Sequence, residues 1–245
     1  MRSVEDVAAV QELLAQGLND CEIARRTGIP RGTVKHWRHQ GPPGRTWRTR
    51  AAAYDLTTLP REPYAYLLGL YLGDGHLARH RRGVFRLGIY LDQRYPGIIE
   101  SCSLAMEAII GRAPGHNRKI GCVQVNAYSK QWPRLFPQHG PGPKHLRPIV
   151  LADWQQVIVD DHPEPFLRGL IHSDGWRGLN RVTVRGRRYA YPRYQFCNAS
   201  DDIRRLFCEA CDAIGVEWRR MNAMNISVAR RGSVARLDLF IGPKR

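Results

Sequence analysis

The chain has 245 residues, with 38 Lys+Arg against 22 Asp+Glu and a formal net charge of +16 at pH 7. Apolar residues make up 43 %, enough for a packed core, which excludes a disordered basic tail. No apolar run reaches the ~18 residues of a membrane span, no apolar stretch of signal-peptide type opens the chain, and six cysteines are ordinary usage for a reducing compartment. A cytoplasmic protein with no membrane partner is therefore expected.

Residues 1–60 hold 9 Lys+Arg and 6 Asp+Glu, whereas residues 61–245 hold 29 and 16. The positive field is thus concentrated in the larger C-terminal part, and its commonest partner is a polyphosphate such as nucleic acid.

In chain order, residues 4–18 read as an amphipathic helix, with Val7, Val10, Leu13, Leu14 and Leu18 at spacings of three and four. A second helix follows, capped by Asn19 or Asp20, with Ile23 and Ala24 facing inward. Gly28-Ile29-Pro30 makes a turn, and a basic third helix begins near Arg31. The arrangement resembles the helix-turn-helix of resolvases and transposases, and residues 1–40 are expected to form such a domain. The resemblance places Arg31, Thr33, Lys35 and His36 on the recognition helix. Residues 41–60, with Gly41-Pro42-Pro43-Gly44 and then Arg45, Trp47, Arg48 and Arg50, read as a basic linker, either merely solvated or tracking a phosphate backbone.

The rest of the chain contains one pattern twice. Leu67-Leu68-Gly69-Leu70-Tyr71-Leu72-Gly73-Asp74-Gly75 is matched by Leu167-Arg168-Gly169-Leu170-Ile171-His172-Ser173-Asp174-Gly175, with the aspartates 100 residues apart. Each nonapeptide closes an apolar helix, over 63–73 and 165–173. Two strands follow each motif, over 77–79 and 84–91 in the first half and over 181–184 and 189–197 in the second. Then comes a helix, over 96–110 and 201–214. Further strands are read at 119–127, 217–219, 225–230 and 235–241, with short helices at 132–135 and 154–159. The fold class is therefore α+β. Two pseudo-symmetric α-β-β-α-β-β halves, residues 61–160 and 161–245, follow a small all-α domain.

The spacing has a physical sense. Gly69 and Gly73 are four apart, as are Gly169 and Ser173, so small residues line one face of each motif helix and let two backbones approach. Asp74 and Asp174 then emerge together at the negative ends of two helix dipoles, an arrangement that a hard divalent cation relieves.

At these residues, over about 60–245, the chain resembles the LAGLIDADG homing endonucleases. The sixth motif position departs from the name-giving pattern, with Leu72 and His172 in place of an acid; a packing role is the simpler reading of His172. The resemblance implies hydrolysis of one phosphodiester on each strand of duplex DNA. It implies Mg²⁺, or Mn²⁺ in its place, held by Asp74 and Asp174 with Gly73 and Ser173 in the metal shell. Lys144, in the rigid Gly140-Pro141-Gly142-Pro143-Lys144 loop, matches a lysine close to the family's active site; Lys119 matches less well. The sheets would form a saddle over DNA, with Arg79, Arg81, Arg82, Arg86, Arg185, Arg187, Arg188 and Arg193 in groove and phosphate contacts. A single-chain monomer with an internal pseudo-twofold axis is implied. A DNA-binding regulator that does not cut and an RNA splicing maturase are the other readings of the same scaffold. No zinc is expected: Cys208 and Cys211 lie within one amphipathic helix, with no second pair beside them. Tyr191, Tyr194 and Trp218 read as core residues rather than base-stacking ones.

Overall fold

The computed structural model describes residues 4–41, 55–242 and 244. The chain divides into two compact units, one within residues 1–53 and one within 54–245. The tryptophan and arginines of the linker fall at 42–54, outside the described residues.

The first unit has three helices, α1 (Val4–Ala15), α2 (Asp20–Thr27) and α3 (Arg31–Gln40). Val10, Ile23, Ile29, Val34 and Trp37 form its buried core, with Val7, Leu13, Leu14 and Leu18 packed around them. The Asn19 side chain caps α2 by accepting from Glu22 N at 2.9 Å. Gly28 ends the helix at φ +68°, a backbone conformation that favours glycine. Arg38 ties α3 back to the start of α2, donating to Asp20 at 2.7 Å and to the Leu18 carbonyl at 2.6 Å. α1 ends three residues earlier than its apolar periodicity suggests, because the chain turns at Gly17, φ +79°.

The second unit begins with α4 (Arg61–Asp74), β1 (Gly75–Arg79), β2 (Phe85–Asp92), α5 (Pro96–Ile110), β3 (Gly115–Lys119) and β4 (Cys122–Ser129). α6 (Trp132–Leu135) and α7 (Asp153–Asp161) connect the halves. The same series then returns as α8 (Pro163–Asp174), β5 (Gly175–Val184), β6 (Arg187–Cys197), α9 (Asp201–Ala213), β7 (Arg219–Arg220) and β8 (Asn225–Val228), followed by α10 (Arg231–Asp238). Both sheets are antiparallel and have the same strand order, β1-β2-β4-β3 and β5-β6-β8-β7. The expected α+β architecture, two repeated α-β-β-α-β-β halves after a helical domain, is present.

One face of each sheet packs on the helices. Leu77, Leu87, Ile89 and Val125 line it in the first half, and Tyr194, Phe196, Ile226 and Val228 in the second, all in one continuous core with α4 and α8. The strand alternation leaves the opposite faces polar.

α4 and α8 cross at Gly69 and Gly169. A Cβ built on Gly69 would stand 2.8 Å from Leu170 N and 2.9 Å from Gly169 Cα, and one on Gly169 would meet the Tyr66 carbonyl. Backbone therefore lies against backbone, and only glycine fits.

Two elements differ from expectation. Residues 235–241 form the end of helix α10 and a turn rather than a strand. The alternation of Leu237, Leu239 and Ile241 is incidental, since Val234, Leu237 and Ile241 are buried at helical spacing and Leu239 is exposed. β3 is an additional edge strand whose residues are all exposed, so it carries no apolar pattern.

The crossing makes a stability prediction. Gly169→Leu should destabilise the protein by ~3 kcal/mol or more through overpacking, measured by chemical denaturation. Gly232→Ala in α10, with open space around it, should leave stability equal or higher. Equal effects at the two positions would contradict the crossing.

Candidate active site

α4 and α8 end side by side, so their last residues, Asp74 and Asp174, meet at one place. A Cβ added at Gly73 would meet the Ser173 side chain and lie 2.9 Å from Asp174 Oδ2. Gly73 thus makes room for the partner helix's carboxylate. Burial pushes the Asp74 carboxyl up to about 6, and the neighbouring Asp174 carboxylate adds to the shift. Burial also raises Asp174, opposed by a hydrogen bond from Asn198 Nδ2 to its Oδ2 at 2.6 Å. Asn198 is itself held, since its Oδ1 accepts from Ser200 N at 2.8 Å. Asp74 has no corresponding side-chain donor among the described residues.

Two lysines complete the cluster. Lys144 Nζ donates to the Gly73 carbonyl at 2.9 Å and to the Tyr71 carbonyl, and stands 5.0 Å from the Tyr71 ring centroid. Burial lowers its pKa to about 8, while Asp174 and Asp74 hold it up. Lys244 Nζ donates to the Gly175 carbonyl, directly after the other aspartate, and burial lowers its pKa as well. Lys244 is a site residue that the sequence reading missed. The signal was present: Gly142-Pro143-Lys144 returns as Gly242-Pro243-Lys244, 100 residues on, the same interval as between the aspartates. Lys119, the weaker candidate, instead stands 5.1 Å from the Tyr90 ring centroid on the first sheet.

The cluster opens into a cleft of about 880 Å³, lined among others by Gly73, His76, Lys144, Asp174 and Asn198. The donor set suits a hard divalent cation. Both carboxylates are held in their acidic form's favour by burial, neither is paired with a guanidinium, and both lysines spend hydrogen bonds on main-chain carbonyls. Asp74 and Asp174 would hold such an ion. Ser173 Oγ is turned to its own helix, donating to the Gly169 and Leu170 carbonyls at 3.1 and 3.0 Å, so its hydroxyl is committed to packing.

His172 is buried, with Nδ1 at 2.9 Å from Tyr66 Oη and Nε2 at 3.2 Å from the Ile241 carbonyl. Burial lowers its pKa to about 4, so it is a neutral packing residue. Cys208 and Cys211 are buried in α9, and burial raises both thiols, Cys208 to about 12. They are core thiols. Of the aromatic residues assigned to the core, Tyr194 is buried there, its hydroxyl donating to Asp238 at 2.6 Å. Tyr191 and Trp218 are exposed. Trp218 Nε1 donates to Asp212 at 2.8 Å, while Tyr191 sits where β6 has left the core behind.

On α3, Arg31, Lys35 and His36 are exposed and Thr33 is half-buried. Arg79, Arg81 and Arg82 cluster at the first hairpin turn, and Arg86 lies on the outward face of β2 with Gly88 and Tyr90. Arg185 occupies the second hairpin turn. Arg187 and Arg193 lie on the outward face of β6, and Arg188 on its other face. Arg193 Nη2 donates to Asn180 at 2.7 Å. The outward faces also carry polar residues not foreseen, Gln124 and Asn126 on β4 and Gln195 on β6. Gln124 and Asn126 are themselves buried, and the alternation of polar residues with the apolar Val125, Ala127 and Phe196 was the available signal.

A homeodomain-like domain family matches residues 1–44. None of the curated proteins matches the sequence. Among solved structures, mesophilic variants of the homing endonuclease I-DmoI are similar over 74 % of this chain and 89 % of theirs, at 14 % identity and TM-score 0.49. The LAGLIDADG meganuclease I-AabMI bound to uncleaved DNA is similar over 73 % and 82 %, at 11 % identity and TM-score 0.48. The meganuclease I-SmaMI bound to uncleaveable DNA is similar over 74 % and 84 %, at 10 % identity and TM-score 0.46.

The raised Asp74 pKa fixes a sign. Its carboxyl favours the protonated form in the folded state, so its contribution to stability is full below pH ~4 and is lost as pH rises through about 6. In EDTA, the Tm of wild type minus that of Asp74→Asn should fall across this window, and a divalent cation should restore it above pH 6. A difference that stays flat from pH 4 to 7 would show that Asp74 is not buried beside a second carboxylate.

Proposed function

We propose that the chain is a divalent-metal-dependent endonuclease that cuts both strands of duplex DNA. One observation carries this reading: two half-buried carboxylates and two half-buried lysines converge where two equivalent helices meet, in a unit whose paired sheets expose arginine-bearing faces. Asp74 and Asp174 would hold the cation, Mg²⁺ or Mn²⁺, while the Ser173 hydroxyl, bonded to its own helix, and the Gly73 carbonyl, bonded to Lys144, are left to packing and positioning. The bound ion supplies Lewis-acid stabilisation of the reacting phosphate oxygens and activation of water.

The chain's own residues do the rest. Lys144 and Lys244, one per half, keep N–H donors beside the carboxylates and stabilise negative charge as water oxygen bonds to phosphorus and the P–O ester bond breaks. Their carbonyl partners hold them in place before substrate arrives. The sheet and hairpin arginines Arg79, Arg81, Arg82, Arg86, Arg185, Arg187, Arg188 and Arg193 bind and orient the duplex. The homeodomain-like unit adds a second reader, with Arg31, Thr33, Lys35 and His36 on α3 in a groove. The active form is a cytoplasmic monomer whose two halves each serve one strand.

Exposed basic α3 also supports a second reading, a sequence-specific regulator that binds without cutting. Cleavage separates the two. Asp74→Asn and Asp174→Asn should each abolish double-strand cutting with Mg²⁺ or Mn²⁺ while leaving duplex affinity in Ca²⁺ within ~3-fold, because phosphate contacts dominate affinity. Lys144→Met and Lys244→Met should each slow cutting by ~10²-fold or more, on the scale of losing one preorganised donor. Wild-type protein that binds a selected duplex tightly and never cuts it would replace the nuclease by the regulator.

Removal of residues 1–44 should weaken binding by at least ~10-fold, measured by gel shift, while metal-dependent cutting stays detectable. Complete loss of cutting in a folded truncated protein would place the first unit in the catalytic core.

A further inference from the structure

The internal repeat is broken by one helix. α7 packs on α4, α8 and α9 and fills the groove between them. Its Trp154 lies over Tyr64 of α4, with ring centroids 5.4 Å apart, and Gln155 Nε2 donates to the Tyr64 hydroxyl at 2.6 Å. Gln155, Ile158 and Val159 are buried there. The repeat exchanges α4 with α8 and α5 with α9, so the counterpart groove is bounded by α8, α4 and α5. Among the described residues no helix fills it as α7 fills the other. It holds instead an open cleft of about 500 Å³, walled by Tyr66, Leu104, Ala105, Ala108, Pro165 and Phe240. Glu164 on its edge is the counterpart of Tyr64, the residue that α7 covers. The cleft lies at the far end of the motif helices from the carboxylates: Glu62, which lines it, precedes Asp74 by twelve residues, about 18 Å along α4.

The wall of this groove exposes apolar surface. Leu104 is 60 % exposed, and Ala108 is exposed one turn later. The interior holds an unmet donor. The Arg168 guanidinium stands 5.1 Å from the Tyr66 ring centroid, with Nη2 at 3.3 Å from Ser101 Oγ. Its Nε is buried without a hydrogen-bond partner, and no carboxylate pairs with it among the described residues. A buried N–H of this kind calls for an acceptor on whatever fills the groove. The rim is acidic, in a chain of net charge +16. Glu62 and Glu164 line the cleft, and Glu100 and Glu107 flank Leu104 at helical spacing on the exposed face of α5, which has no lysine or arginine. Glu164 is paired with Arg236, while Glu62, Glu100 and Glu107 make no ion pair among the described residues. Such a rim repels a polyphosphate and attracts a polycation.

We propose that this groove docks a basic amphipathic helix of another protein, in the place that α7 takes in the other half. The partner helix lays large apolar side chains at i, i+3 or i+4 and i+7 along Leu104, Ala108 and Phe240. Lysine or arginine on its flanks faces the glutamates of the rim, and an amide side chain, such as Gln155 supplies on α7, accepts from Arg168 Nε. The site is separate from the carboxylate cluster and does not rest on the nuclease reading.

The test uses the full chain as bait for a display library of random helical peptides of about 16 residues, long enough to hold a helix. Ala108→Trp, which fills the groove from an exposed position, serves for counter-selection. Enriched peptides should carry the apolar repeat with basic flanks and a central Gln, Asn, Asp or Glu. Their affinity, read by fluorescence anisotropy, should fall by ~10-fold or more with Leu104→Glu. Glu62→Lys with Glu107→Lys should weaken binding at low salt and remove most of its salt dependence. Replacing the central acceptor of the peptide by Leu should weaken binding to wild type and not to Arg168→Met. Leu104, Glu62 and Glu107 are exposed, so an unchanged Tm in these variants shows that the fold is intact. No enrichment over the Ala108→Trp protein, enrichment of acidic peptides, or affinity indifferent to Leu104→Glu would overturn the proposal. A dimer in sedimentation that Leu104→Glu dissolves would also overturn it, by showing that a second copy of the chain covers the groove.

Discussion

The contact on which the unit depends is the backbone-to-backbone crossing of α4 and α8. Two glycines at the crossing, and one turn later a glycine that makes room for the Ser173 side chain, let the helices approach to backbone contact. Helices packed through ordinary side chains sit 8–10 Å apart, and their C-terminal residues would then be separated by at least that distance. Close approach instead brings Asp74 and Asp174 to one point and fuses two small sheets into a single core. The residues that pack the helices therefore also fix where the two carboxylates stand. The motif tolerates Leu72 and the neutral, doubly hydrogen-bonded His172 at its sixth position because that position serves the core and not the carboxylate cluster.

What the crossing brings together is costly before a ligand arrives. Two half-buried acids face each other at the negative ends of two helices, and two half-buried lysines stand next to them. Among the described residues the lysines do not neutralise the acids through direct ion pairs; their N–H groups point at the Tyr71 and Gly73 carbonyls in the last turn of α4 and at the Gly175 carbonyl just past the end of α8. Each lysine thereby caps a helix end while leaving carboxylate oxygens open. A site so arranged gains most from a ligand that is small, doubly charged and hard, and from a substrate whose negative charge sits between two ammonium groups.

Much of this was legible in the sequence, because repetition is a strong signal. Two nonapeptides with matching flanks located both motif helices, both hairpins and both carboxylates. Lys144 was found through its rigid loop. The misses have separate physical causes. Lys244 lay in a second Gly-Pro-Lys that the repeat itself announces, but only if the interval of 100 residues is carried past the motifs to the end of the chain. α10 was misread because Leu237, Leu239 and Ile241 alternate like a strand, whereas burial follows the spacing of Val234, Leu237 and Ile241. β3 is an all-exposed edge strand, held by hydrogen bonds to β4 and marked by no apolar residue. Tyr191 lies in the same strand as the core residues Tyr194 and Phe196 but an odd number of positions away, so alternation puts it on the opposite face with Arg193 and Gln195, and β8 ends before it.

The halves diverge wherever the crossing does not constrain them. The glycines, aspartates and lysines are paired across the pseudo-twofold axis, since both sides of a shared contact must fit the same space. Away from it, Asp174 is held by Asn198 and Asp74 by no comparable side chain among the described residues. On the outward face of the first sheet the Gln124 and Asn126 amides are buried and bonded to Asn117 and to the Gly115 carbonyl, while in the second the β5–β6 hairpin continues past β8 and carries arginine and tyrosine. A chain with two identical halves would be matched to a palindrome. Here packing keeps the carboxylate-and-lysine cluster alike in the two halves, while the surfaces, free of that restraint, are unlike; on the duplex reading proposed above, the two sides of a bound site would then differ in sequence.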